Sequence, residues 1–241
     1  TMAGHSKWAN IRHRKGAQDK KRAKIFTKLI KEITISSRLG GGDISSNPRL
    51  RKAVSNAKAS NLPADKIERA IKKGTGELEG VIYEEVTYEG YGPSGVAILM
   101  DIITDNKNRT VAEIRHLLSQ FDGNLGENGS VAWMFDKTGQ IIMESKTANE
   151  DTIFEDVINA GAEDFYVDNN FYLVSTSADQ LMEIRDKLDH AGYDIKSAEI
   201  EMVPKTNQIL GDLEAKKVLK LLDALEDNDD VNKVYTNFDF A

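Results

Sequence analysis

The chain has 241 residues, 40% of them hydrophobic and 29% charged, with a formal net charge of −7 and no cysteine. Its length exceeds one typical domain and suits two or three, while the missing cysteine excludes disulfides, thiolate metal sites and cysteine nucleophiles. No apolar run approaches the roughly 18 residues needed to cross a bilayer, and Met2–Arg14 lacks an apolar signal core, so a cytoplasmic protein without a membrane partner is expected.

The net charge conceals a split. Residues 1–73 hold 19 Lys/Arg against 5 Asp/Glu, or +14, and residues 74–241 hold 13 against 34, or −21. A basic front joined to an acidic body points to a polyanionic partner for the front.

In chain order, Ala23 to Leu39 carries Ile25, Phe26, Leu29, Ile30 and Ile33 at helical spacing. Gly40–Asp43 ends that helix, and Asn47–Pro48 reads as the cap and first turn of a second, with Leu50, Ala53, Val54 and Ala57 on its apolar face. A third helix begins near Pro63 and stops at Gly74. After the linker Gly74–Gly80, strands are expected at Glu84–Tyr88 and Val96–Ile103, joined by a glycine- and proline-rich turn. A helix follows over Arg109–Phe121, capped by Asn106 or Asn108, then a loop and a short strand "VAWMF".

From Gly139 the pattern reads β-α-β-β-α-β: Gln140–Ser145, Asn149–Ala160, Asp164–Val167, Phe171–Ser175, Ala178–Ala191 and Asp194–Met202. That is the split βαβ order of a ferredoxin-like domain. A last helix, Asp212–Leu225, and strand, Val231–Thr236, cannot bury a core alone; they are expected to complete the sheet begun at Glu84, making the ferredoxin-like unit an insertion. The fold class is α+β and multidomain. The expected boundaries are 1–78 for a basic three-helix domain, 79–136 plus 205–241 for a discontinuous α/β domain, and 137–204 for the insert.

The strongest chemical signal is the basic N-terminal stretch. Lys7, Arg12, Arg14, Lys15, Lys20, Lys21, Arg22 and Lys24 are opposed only by Asp19, with His13 and Trp8 among them. Such cations neutralise phosphates and release counterions, giving sequence-independent, salt-sensitive affinity. An aromatic face such as Trp8 can stack on an unpaired base or simply anchor the segment. Lys28, Arg49, Arg51 and Lys52 continue the charge, and these fourteen residues are the candidate nucleic-acid contacts. They argue for phosphate contact more than for base reading.

Other motifs carry little. "GYGPSG" has Val96 where a nucleophile elbow needs its second glycine, "GTGELEG" has the wrong spacing for a dinucleotide loop, and His116 and His190 read as ordinary, partly buried residues. Glu226, Asp227, Asp229 and Asp230 read as a solvated helix end, and "TDNKNRT" as a helix cap with a functional role for Arg109 left open. No enzyme, catalytic residue, metal, cofactor or small-molecule substrate is expected.

The stretches "MAGHSKWANIRHRKGAQDKKRAKIFTKLIKEI", "NLPADKIERAIKKGTG", "YEGYGPSGVAIL", "TDNKNRT" and "GENGSVAWMF" closely resemble the YebC/PmpR family of probable transcriptional regulators, along the whole chain. The resemblance implies an N-terminal helical domain and two α/β domains, one inserted in the other, without a cofactor. It implies a DNA-binding regulator of transcription; the alternative is a ribosome-associated translation factor binding ribosomal RNA, since a mitochondrial relative is described as a translational activator of cytochrome c oxidase.

Overall fold

The structure is a computed structural model that describes residues 22–144, 149–168 and 171–241. Among the described residues three helices come first: α1 (Arg22–Gly40), α2 (Pro48–Ala59) and α3 (Ala64–Thr75). Apolar residues recurring every three or four positions drive their assembly. Ile33 of α1, Leu50, Ala53, Val54 and Ala57 of α2, and Ile67 and Ala70 of α3 form one buried cluster with Leu62. Asn47 starts α2 as anticipated: its Oδ1 accepts from Leu50 N at 3.0 Å, and its Nδ2 donates to Ser36 O and Gly41 O. α1 and α3 cross closely at Gly74, where a Cβ would stand 2.4 Å from Thr34 O, so a larger residue would force the helices apart.

The α/β part follows with β1 (Glu84–Tyr91), β2 (Ala97–Thr104), α4 (Lys107–Gln120) and the two-residue β3 (Asn124–Leu125). After the insert come β8 (Gln208–Leu210), α7 (Asp212–Glu226), β9 (Val231–Thr236) and β10 (Phe238–Phe240). The antiparallel sheet runs β3-β1-β2-β9, so the tail does complete the sheet begun at Glu84. β2 is central and nearly all apolar, as a strand covered on both faces should be. α4 and α7 pack side by side, burying Ile114, Leu118, Val218, Leu221, Leu222 and Leu225.

The insert comprises β4 (Phe135–Glu144), α5 (Glu150–Ala160), β5 (Asp164–Asp168), β6 (Phe171–Ser177), α6 (Leu181–His190) and β7 (Asp194–Pro204). Its antiparallel sheet has the order β5-β6-β4-β7, which is the ferredoxin-like arrangement. Ile141 and Met143 of β4, Tyr172 and Val174 of β6, and Ile153, Val157, Ile184 and Leu188 of the two helices fill its core. The described residues thus divide into two compact units, 133–209 with Phe240 and the remainder. The chain is an α+β protein with N-terminal helices followed by two sheet-containing parts, one interrupting the other.

Three expectations need correction. "VAWMF" is no strand: Ala132–Met134 form a 3-10 turn and β4 starts at Phe135. The reason is a long-range contact: the amides of Val131 and Ala132 are taken by the Glu89 carboxylate and are not free for a ladder. β4 also begins before the expected Gln140 and runs through Gly139, whose lack of a side chain admits a neighbour; a Cβ there would lie 2.2 Å from Thr176 Oγ1. The helix expected from Ala178 begins only at Leu181, because β6 continues to Ser177 and a turn intervenes.

Candidate nucleic-acid interface

Spacing places Lys24, Lys28 and Lys31 on one side of α1, at i, i+4 and i+7. All three reach the turn that ends α7. Lys24 Nζ donates to Asp227 O at 2.8 Å and pairs with Asp227 Oδ2 at 3.0 Å. Lys28 Nζ donates to Glu226 O at 2.5 Å. Lys31 Nζ donates to Asp229 O at 2.8 Å and pairs with Asp230 Oδ1 at 2.5 Å. The carbonyls at a helix C-terminus lack intrahelical donors and carry the negative end of the dipole, so ammonium groups are well matched to them. Burial outweighs the nearby carboxylates at Lys28 and lowers its pKa to about 8.

Asp230 is the centre of this arrangement and is 5% exposed. Its second oxygen, Oδ2, accepts from Arg109 Nη2 at 2.7 Å, Thr110 Oγ1 at 2.7 Å and Thr104 Oγ1 at 3.3 Å. Burial alone would raise its pKa, but the hydrogen bonds from Lys31, Arg109 and Thr110 prevail and hold it down to about 2. Arg109 also pairs with Asp105 at 2.8 Å, and Asn106 caps α4 by accepting from Arg109 N. The acidic run after α7 is therefore not a solvated end: Asp227 and Asp230 fasten α1. "TDNKNRT" does cap a helix, and its half-exposed arginine pairs with the buried Asp230.

A second buried carboxylate, Glu89, escaped sequence reading. It accepts from the backbone amides of Gly129, Val131 at 2.9 Å and Ala132 at 2.6 Å. Burial works against ionisation, yet the three amides lower its pKa below the ordinary glutamate value. Glu89 thereby shapes the 126–132 loop. Its position in a strand rich in acidic and aromatic residues gave no signal of this, since its partners lie some 40 residues away.

The other sequence candidates fall in three groups. Lys7, Trp8, Arg12, His13, Arg14, Lys15, Lys20 and Lys21 lie outside the described residues, and of Arg22 only the backbone, at the start of α1, is described. Arg49 grips Glu32 with two hydrogen bonds, at 2.8 and 3.1 Å, and also binds Glu85, tying α2 to α1 and β1. Arg51 is exposed and donates to Ile44 O at 3.1 Å and Ser45 O at 2.8 Å; Lys52 is partly buried. The structure thus brings Lys24 and Lys28 together with α7 and leaves Arg49 in a separate cluster.

Three cations outside the fourteen nucleic-acid candidates stand on the outer face of α3. Lys66, Arg69 and Lys73 are exposed, and none makes an ion pair among the described residues. His116 and His190, expected to be partly buried, are both exposed; His190 Nδ1 lies 2.7 Å from Asp186 O. Among the described residues no three His, Asp or Glu side chains are grouped to hold a metal ion, and no helix is long and apolar enough to cross a membrane.

Residues 6–77, which include the three described N-terminal helices, match the TACO1/YebC protein N-terminal domain, and residues 83–238 match the TACO1/YebC second and third domain. The chain belongs to the TACO1/YebC family. It is 55% identical over 240 residues to a protein of Geobacter sulfurreducens named "Probable transcriptional regulatory protein", covering 100% of this chain and 97% of that one. A protein of the same name from Desulfosudis oleivorans is 56% identical over 236 residues, covering 98% and 96%. The crystal structure of a conserved hypothetical protein from Aquifex aeolicus is similar with a TM-score of 0.84 and 43% identity, covering 92% of each chain. In this TACO1/YebC chain the boundary between the two family matches, at 77–83, coincides with the segment between α3 and β1.

Proposed function

We propose that this protein is a DNA-binding regulator of transcription that acts through its basic N-terminal helical domain and is not an enzyme. The observation that carries the reading is the concentration of +14 in residues 1–73 of a chain that otherwise carries −21. It is supported by relatives named as regulatory proteins. The cations from Lys7 to Arg22 supply the phosphate contacts, assisted by Arg51 and Lys52, and Trp8 adds an aromatic face. The division into 1–78, 79–136 with 205–241, and 137–204 separates this DNA-facing part from an acidic body. That body disfavours indiscriminate adhesion to polyanions and turns the basic part toward them. The protein works in the cytoplasm, without a cofactor.

The test is fluorescence anisotropy with labelled duplex DNA across a salt series, comparing the full chain with a chain lacking residues 1–21. The deletion is expected to remove most of the affinity and most of the slope of log K against log salt. An unchanged slope overturns the assignment of the contacts to this segment. Crosslinking in cells separates transcription from translation: recovery of discrete DNA regions supports the regulator, and recovery of ribosomal RNA supports the ribosome-associated alternative.

A further inference from the structure

We infer that the outer face of α3 is a second phosphate-binding surface for duplex DNA, formed by Lys66, Arg69 and Lys73. The inference rests on the proposed DNA-binding function but concerns residues separate from the N-terminal segment.

The first observation is where the positive charge remains available. In α1, Lys24 and Lys31 are paired with Asp227 and Asp230, and Lys28 is held by a carbonyl. In α2, Arg49 is paired with Glu32 and Glu85. A phosphate would have to displace these partners. Lys66, Arg69 and Lys73 have none to displace among the described residues.

The second observation is their arrangement. At about 100° per residue, positions 66, 69 and 73 fall within an arc of roughly 60°, and 66 to 73 spans about 10.5 Å along the axis. Of the two carboxylates of α3, Glu68 lies away from the row and Asp65 borders it. Glu68 is engaged with Lys72 at 2.6 Å, and Asp65, one turn before Arg69, makes no ion pair with it among the described residues.

The third observation is that stability does not account for the row. Arg69 is four residues before Lys73 and three after Lys66, and like charges at those spacings cost about 0.2–0.5 kcal/mol each. Lys66 is in the first turn, where the helix dipole disfavours a cation. Only Lys73, in the last turn, suits the dipole. Its stem is also fixed by the chain beyond α3, since a Cβ at Gly80 would stand 3.0 Å from Lys73 Cδ. Three cations spaced over about 10.5 Å of one helix suit the regularly spaced phosphates of a duplex. Phosphate contact of this kind positions the protein and reads no bases.

The experiment is a salt series with a 20-base-pair duplex of arbitrary sequence, using the full chain and the triple variant Lys66→Ala, Arg69→Ala, Lys73→Ala. A control variant, Lys216→Ala, Lys217→Ala, Lys220→Ala, removes three exposed lysines of α7. Each phosphate contact contributes about 0.9 to the slope of log K against log salt. The α3 variant is expected to lose about two to three units of slope and on the order of 100-fold in affinity at 0.1 M salt, equally for different duplex sequences. The α7 variant is expected to keep the slope. Circular dichroism reports whether the triple variant is folded, and a second set of single substitutions to Gln, each losing about one unit, serves if it is not. An unchanged slope in a full chain that binds DNA overturns the α3 surface alone. An equal loss in the α7 control also overturns it, because charge at any position then suffices. A loss confined to single-stranded RNA rejects the duplex as the ligand. If the full chain binds no duplex, the proposed function fails, and the α3 surface with it.

Discussion

Helices α1 and α3 look alike in sequence: both are amphipathic, both carry a run of basic residues, and both contribute to the same buried cluster. The structure gives their charges opposite fates. The lysines of α1 are drawn to the end of α7, where carbonyls and two aspartates receive them. Three cations of α3 face outward with no ion pair among the described residues. Charge written in a sequence becomes charge available to a partner only if no helix end or carboxylate elsewhere in the fold reaches it first.

The sharpest way to break this comparison is at Asp230. Asp230→Asn leaves Lys31 and Arg109 without their shared carboxylate, and removing one member of a buried ion pair costs about 3–5 kcal/mol. Urea denaturation at pH 7 measures the loss, and a change below about 1 kcal/mol would mean that α1 is not held there. Acid offers a second, smaller probe. Because the pKa of Asp230 is lower in the folded chain, about 2, than its ordinary 3.8, its contribution is full above about pH 4 and fades as pH falls toward 2. The depression corresponds to roughly 2 kcal/mol, which should appear in wild-type acid denaturation and be absent from the Asp230→Asn curve.

On α3 the expectation reverses. Single substitutions of Lys66, Arg69 or Lys73 by Ala should each change stability by less than about 0.5 kcal/mol, with relief of repulsion offsetting any loss. A large loss in a thermal or urea melt would show that these side chains serve the fold. Lys28 offers a test at the alkaline end. Its pKa of about 8 lies below the ordinary 10.5, so between those values the unfolded chain binds more protons and stability rises with pH. Lys28→Met should flatten that rise, and NMR titration of the lysine side chains should show one midpoint near 8.

Much of the fold was legible because its causes are local. Helical spacing, the Asn47–Pro48 cap and the β-α-β-β-α-β order each report themselves within a few residues. Gly139 and "VAWMF" misled for the opposite reason: a close approach by Thr176 and a carboxylate some 40 residues upstream decide those places. The site divides the same way. The basic character of residues 1–73 is a composition and can be counted, but the pairing of Lys31 with Asp230 or of Arg109 with Asp230 joins residues with no shared motif. Only the folded sheet, which sets β9 beside β2, brings them together.

That pairing has a consequence for how the protein is made. Lys31 leaves the ribosome 199 residues before Asp230. At about 5–20 residues per second, α1 exists for roughly 10–40 s before the carboxylate that holds it has been synthesised. Strand β9, which closes the first sheet, arrives equally late, after the whole ferredoxin-like insert. The insert pairs only within residues 135–204 and can fold as soon as it emerges. During synthesis, then, the interrupting unit is finished first, and the three N-terminal helices receive their fastening near the end.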